Sequence, residues 1–415
     1  MYLWRFVLAA CAVLIGWRVI ALGTAELYAE RLKIGDDRAV DQLLTFQPNH
    51  PEGLLAVALR SGTDQPDDTL RLLAEAYNAN PASPWPLIAA ARVAGEDDQP
   101  ERADRLMEVA AALAPATPGV LKEAAAYWAS RGQPERAVAY LATALEADGS
   151  LGKELFPALF TLAEDPEASA LLEPFTTRPP TWWSGFFQQF ARSADDVDAL
   201  RRIYRLRTQA VAEPLTPEER TAYVGRLQKE GNVSEAYVVW ASGLSKLQRK
   251  ALGLLFNGQF ELPLSQAGFG WQTLRNAHAS ANLLTTAGTT ANRALRLRFR
   301  AHEERFRHLF QPLFLDPGNY QLTGQVRTER FKSDGGLRWE VRCLAPERQL
   351  LAQGVPFLSA PDWTPFEMAF EVPQGCEQTE LRLVSAGKRS FELRIEGDIW
   401  FDDLRIVRVE AVDSA

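Results

Sequence analysis

Gln99-Pro100-Glu101-Arg102-Ala103 and Gln133-Pro134-Glu135-Arg136-Ala137 are the same five letters 34 residues apart, and Gln65-Pro66 stands another 34 residues upstream. A period of 34 is that of a stacked helical hairpin. Counting on from each dipeptide, a small residue returns at Thr69, Ala103 and Ala137 and again at Ala76, Ala110 and Ala144, with a chain breaker at Pro81, Pro115 and Gly149. Small side chains let two helices approach closely, and Pro or Gly ends the second helix of a unit.

These positions resemble the tetratricopeptide repeat family, whose 20th, 27th and 32nd positions carry this Ala, Ala, Pro pattern. Ala125 and Trp128 fit the first helix of the third unit, while the large aromatic early in each unit is mostly missing. The resemblance implies an α-solenoid that holds a protein partner on its surface.

Working outward, Ala25 to Leu44 reads as a degenerate first unit, and Thr216 to Lys250 as a last one. In the latter, Thr216 caps a helix begun by Pro217-Glu218-Glu219, Gly231 makes the turn, and Ala236, Trp240 and Gly243 face a neighbour. Between the units, Trp182, Trp183, Phe186, Phe187 and Phe190 share one helical face and read as core.

Upstream, Phe6 to Leu22 is a 17-residue apolar stretch whose one charge is Arg18, roughly 25 Å as a helix and just enough to span a bilayer. Trp4 and Trp17 suit the interfaces, and Arg5 favours a cytoplasmic N-terminus. The retained anchor is the first reading. Cleavage after Gly23-Thr24-Ala25 is the second and lipidation at Cys11 the third, and all three export the bulk of the chain.

Downstream, at Leu254, the period changes from 3.6 to 2. Leu295, Leu297 and Phe299 alternate with Arg296, Arg298 and Arg300, and Leu337, Trp339, Val341 and Cys343 with Arg338, Glu340 and Arg342. Further strands are expected at Tyr320 to Thr328, Phe366 to Val372, Leu381 to Val384, Phe391 to Ile395 and Ile399 to Ile406. One apolar and one charged face make an antiparallel sandwich.

The order Asn257-Gly258-Gln259-Phe260-Glu261, then Leu315-Asp316-Pro317-Gly318-Asn319-Tyr320, then Trp363 and Phe366, then Ile399-Trp400-Phe401-Asp402-Asp403-Leu404-Arg405-Ile406 resembles the jelly-roll carbohydrate-binding modules of galactose-binding-domain architecture, over about Leu254 to Val409. The resemblance implies glycan binding and a structural calcium on Glu261 and Asp403, with Asp402 a weaker ligand. No other cofactor is expected.

Trp400, Trp271 and Trp363 are the candidates for sugar stacking, with Arg327 as a polar contact, whereas Trp339 is in phase with the core. The outward arginines read as an ion-pair lattice with Glu329, Glu340 and Glu392 ahead of an acidic-polysaccharide surface. Cys343 and Cys376, the two cysteines outside the apolar segment, are expected to pair in an oxidising compartment.

Composition sets bounds. The net charge of −8 divides into 26 basic and 33 acidic residues up to Lys250 and 19 against 20 thereafter, so no basic stripe invites nucleic acid. Four histidines and three cysteines offer few ligands or nucleophiles, and His302-Glu303-Glu304 with His308 lacks the zinc-helix spacing.

The expected organisation is therefore a transmembrane anchor or signal peptide (residues 1–24), a tetratricopeptide-like helical solenoid (25–252) and a carbohydrate-binding-module-like β-sandwich (253–411). The combination resembles accessory proteins of bacterial exopolysaccharide assembly: single-pass in the inner membrane, mostly periplasmic, and not an enzyme. The main expectation is a scaffold holding a protein partner. A glycan-binding protein is the alternative and a glycan-modifying enzyme the third reading.

Overall fold

The computed structural model describes residues 3–62, 65–286 and 293–409. Its helices run α1 (Leu3–Lys33), α2 (Ala39–Phe46), α3 (Pro51–Ser61), α4 (Pro66–Ala79), α5 (Trp85–Glu96), α6 (Pro100–Leu113), α7 (Pro118–Ser130), α8 (Pro134–Ala147), α9 (Gly152–Glu164), α10 (Glu173–Thr177), α11 (Trp183–Ser193), α12 (Val197–Thr208), α13 (Pro217–Lys229), α14 (Val233–Ser242) and α15 (Lys246–Arg249). The strands follow as β1 (Gln272–Thr273), β2 (Ala279–Thr285), β3 (Arg293–His302), β4 (Leu309–Leu313), β5 (Gly318–Ser333), β6 (Leu337–Ala345), β7 (Gln349–Gln353), β8 (Thr364–Val372), β9 (Gln378–Ser385) and β10 (Ile395–Val409).

The chain divides into two compact units. One comprises residues 1–162, 167–174 and 180–182, the other 163–166, 175–179 and 183–415. The passage from helices to strands falls inside the second.

In the first unit each Gln-Pro dipeptide opens the second helix of a pair. Pro66, Pro100 and Pro134 are the first residues of α4, α6 and α8, where a missing N–H removes no helical bond. Thr69, Ala103, Ala137, Ala76, Ala110 and Ala144 are all buried, as close helix crossing requires. α1 is long and apolar enough to cross a membrane. It runs on without a break beyond the Gly23-Thr24-Ala25 site, so that Ala25 and Ala29 pack against Leu43 of α2.

In the second unit, α11 buries Trp183, Phe186, Phe187 and Phe190. A capping box on Thr216 and Glu219 starts α13, and Gly231, at φ +77°, turns the chain into α14. Tyr237 and Trp240 of α14 meet Phe314, Phe269 and Phe256 at ring distances of 4.8 to 5.6 Å. The last helices and the sandwich thus share an aromatic seam.

The strands form two five-stranded antiparallel sheets, β1-β4-β9-β6-β7 and β2-β3-β10-β5-β8. Leu295, Leu297 and Phe299 pack with Trp339, Val341, Leu383, Ile399 and Phe401 between them. Gly258 passes so close to Leu404 that a Cβ there would lie 1.9 Å from the Leu404 carbonyl oxygen, and its own carbonyl accepts the Leu404 N–H at 3.0 Å. The expected strand at Phe391 to Ile395 is instead a 3-10 turn over Ser390–Leu393 leading into β10. The reason is local: the Glu392 carboxylate accepts the N–H groups of Lys388 and Arg389, which curls the segment.

Candidate functional site

The most built polar surface lies on the outer face of the first sheet. Period-2 alternation in β6 sends Leu337, Trp339 and Val341 into the core and Arg338, Glu340 and Arg342 outward. In β9 the same rule turns Glu380 and Arg382 to that face. Cross-strand pairing then sets Glu340 opposite Arg382 and Arg342 opposite Glu380.

Glu340 is only 2% exposed. Its Oε1 accepts Nε and Nη2 of Arg338 at 3.1 and 2.9 Å, and its Oε2 accepts Nε and Nη2 of Arg342 at 3.0 and 2.5 Å. Glu380 is also buried and holds Arg382 through Nε at 2.5 Å and Nη2 at 2.8 Å. The third nitrogen of Arg382, Nη1, donates to the Arg307 carbonyl at 2.8 Å, and the guanidinium lies 4.3 Å from the Phe310 ring centre. Buried carboxylates of this kind hold guanidinium planes in one orientation.

The hollow over this lattice is about 480 Å³ and is lined by Arg305, Arg307, Arg342, Arg348 and Arg382 against Glu340 and Glu380. Among its lining residues, guanidinium groups exceed carboxylates by three. In a chain of net charge −8, that is a local reversal of sign. The arrangement can accept carboxylate or sulfate groups through planar two-point hydrogen bonds, with Leu350 and Phe306 as apolar ground.

Of the cross-strand lattice expected on Glu329, Glu340 and Glu392, Glu340 does hold Arg338 and Arg342, but along β6 between residues two apart, while Glu329 meets its neighbour Arg330 at 3.8 Å and Glu392 turns to the Lys388 and Arg389 N–H groups. On the second sheet Arg298 makes the cross-strand version, a two-point pair with Asp398 at 2.9 and 3.1 Å that holds its guanidinium above the usual arginine range.

The stacking residues fall elsewhere. Trp400, Trp363 and Arg327 are together on the outer face of the second sheet, the Arg327 guanidinium lying 4.9 Å from the Trp400 ring and 5.0 Å from that of Trp363. Arg296 covers Trp400 from the other side at 5.5 Å. Trp400 is consequently 6% exposed, so its face meets guanidinium where sugar stacking had been expected.

Trp271 is no stacking platform either: it is 1% exposed, packs 5.7 Å from Trp339 and donates its Nε1 hydrogen to the Asn257 carbonyl at 3.2 Å. It is a core residue. The strand-end position suggested exposure, but Trp271 packs with Phe260, Trp339 and Leu309 in the core of the sandwich.

The carboxylates expected to hold calcium are otherwise engaged. Glu261 Oε1 accepts the Arg293 N–H at 2.8 Å and lines a hollow beside Gly258 and Leu404. Asp403, at φ +55°, pairs with Arg405 at 3.0 Å and lines a different hollow. Asp402 is buried and its Oδ1 accepts the Asp403 N–H.

Cys343 and Cys376 form a disulfide with Cα atoms 5.8 Å apart, within the span such a bond bridges. Together with the apolar α1, it points to secretion or membrane anchoring.

Sequence reading missed Arg305, Arg307, Arg348, Phe310, Glu380 and Arg382. The alternation of Glu380 and Arg382 with Leu381 and Leu383 carried the outward direction of the last pair. Nothing local marked the other four, because loops and β4 reach the hollow only through the strand order of the sheet.

No family model matches the chain, and no curated protein matches it. Among solved structures, the sandwich is similar to the CBM22-1 xylan-binding domain from Paenibacillus barcinonensis Xyn10C, at 14% identity over 37% of this chain and 94% of that one, with a TM-score of 0.29. A CBM4 structure is similar at 13% identity, covering 37% of this chain and 99% of that one, with a TM-score of 0.28. The enzymatically active domain of bacteriophage CBA120 tailspike protein 4 is similar at 15% identity over 38% of this chain, with a TM-score of 0.28, and the match spans about a fifth (21%) of that chain.

Proposed function

We infer that the protein is a membrane-anchored, non-enzymatic glycan-binding protein of the bacterial periplasm whose sandwich holds an acidic polysaccharide. The observation that supports this reading is the hollow on the first sheet, where buried Glu340 and Glu380 orient arginines that outnumber the lining carboxylates. Acidic sugars offer carboxylates at regular intervals, and planar guanidinium groups fixed on strands meet them without further ordering cost.

In this reading α1 anchors the chain, and the helix pairs, with their tetratricopeptide-like spacing, hold a protein partner of polysaccharide assembly or export. The sandwich touches the polymer.

The test is calorimetric titration of the full chain in detergent with polygalacturonate and with its methyl ester, which keeps the backbone and removes the charge. Binding is expected for the acid alone, with an affinity that falls as salt rises. Arg382→Ala is expected to weaken it roughly tenfold or more, the value of a hydrogen bond to a charged group. Equal binding of ester and acid, or no effect of Arg382→Ala and Arg342→Ala, would overturn the assignment to the hollow.

A further inference from the structure

Two of the four histidines, His278 and His302, meet a third donor at the edge of the second sheet. β2 and β3 pair with Ala279 opposite Phe299, which brings His278 beside Arg300, whose N–H donates to the His278 carbonyl at 2.8 Å. Leu295, Leu297 and Phe299 point inward, so the even-numbered residues of β3, His302 among them, point outward with His278. The two are diagonal neighbours on one face, and their rings lie 3.7 Å apart at 20°. Asn276 fixes the approach to His278 by accepting the His278 and Ala279 N–H groups at 2.7 and 2.9 Å. Glu304, just past the strand, completes the group: one ligand atom from each of His278, His302 and Glu304 lies within 4.8 Å of the others.

We propose that His278, His302 and Glu304 bind a divalent transition-metal ion of the zinc class. Two imidazole nitrogens and one carboxylate oxygen match zinc, copper or nickel, whereas calcium would ask for oxygen donors throughout. A tetrahedral zinc site has ligand atoms about 3.3 Å apart, so the present spread closes by at most about 1.5 Å. The side chains are exposed or half-buried, and rotation about their own bonds supplies that movement. Three protein ligands leave a fourth position to water or to an oxygen of a bound molecule. The ion would tie β2, β3 and the segment after β3 to one another at a sheet edge.

The test uses the untagged full chain in detergent, stripped with a chelator and titrated with zinc. Saturation at one ion per chain is expected, with His302→Ala and Glu304→Gln each weakening binding by at least about tenfold. His308→Gln, which replaces the nearest other histidine, is expected to retain it. Copper loaded into the same protein should show hyperfine splitting from two nitrogens in electron paramagnetic resonance, and from one in His278→Ala. Circular dichroism of each variant establishes that it is folded. Absence of saturable zinc binding, or binding unchanged by His278→Ala and His302→Ala, would leave the two rings as a simple stacked pair and overturn the proposal. Loss in His308→Gln equal to that in His302→Ala would overturn the assigned ligand set.

Discussion

Replacing Glu219 by Gln tests how the last helices are held. Glu219 is fully buried at the start of α13, where its Oε1 accepts Trp183 Nε1 at 2.7 Å and Arg207 Nε at 2.8 Å, and its Oε2 accepts the Thr216 N–H at 2.8 Å. Arg207 is 1% exposed and donates three further hydrogens to the carbonyls of Thr176, Glu213 and Pro214, none of which carries a full negative charge. With glutamine the guanidinium stays buried and uncompensated, a loss of about 3–5 kcal/mol. An amide nitrogen turned toward the Thr216 N–H would also break the capping box, for about 1 kcal/mol more. Trp183→Phe removes one donor and leaves the ion pair, so its cost is about 1.5–3 kcal/mol. Amide hydrogen exchange of the full chain in detergent, read over Val197–Thr208 and Pro217–Lys229, isolates this region from the unfolding of the rest. At 1.36 kcal/mol per decade, protection in Glu219→Gln should fall by about two to four decades. Protection within tenfold of the parent, or a larger fall in Trp183→Phe, would refute the argument that the buried charge pair is what joins α12 and α13.

Other consequences can be checked with the same material. Burial alone would raise the Glu235 carboxyl, but Arg201 and the Tyr223 hydroxyl overcome it and hold it below the usual range. A depressed carboxyl contributes stability above its unfolded value of about 4.3, and that contribution is lost as pH falls through the folded value. Protection of α12 and α14 should therefore drop as pH falls below about 4, and Glu235→Gln should flatten that dependence. The disulfide spans 33 residues of chain, and its removal by Cys343→Ser with Cys376→Ser should destabilise the sandwich by about 4 kcal/mol on loop entropy. Urea titrations with and without reductant should show the parent falling to the level of the double variant once reduced.

Local pattern was enough for the elements and their layers. Gln-Pro dipeptides every 34 residues mark the second helices because proline is tolerated at a first helical position, and the alanines that follow must sit at crossings. Alternation in β3 and β6 assigned the core face of each sheet, since side chains on a strand have a period of two. The Phe391 to Ile395 segment failed this way of reading because one carboxylate, Glu392, bonds two nearby backbone amides and bends what apolar content alone would extend. The aromatic run after Pro180 read correctly as core, whereas Trp271 did not, because burial of a residue outside a periodic element depends on where the chain passes.

The sequence by itself determined the apolar helix, the paired helices, the two-faced strands and the two thiols able to meet, all of which rest on spacing within a few residues or on the scarcity of cysteine. Tertiary structure alone decided which polar residues share a surface. Glu340 faces Arg382 and His278 meets His302 only because sheet order and register bring distant strands within about 5 Å of one another, a distance that spacing along the chain does not encode.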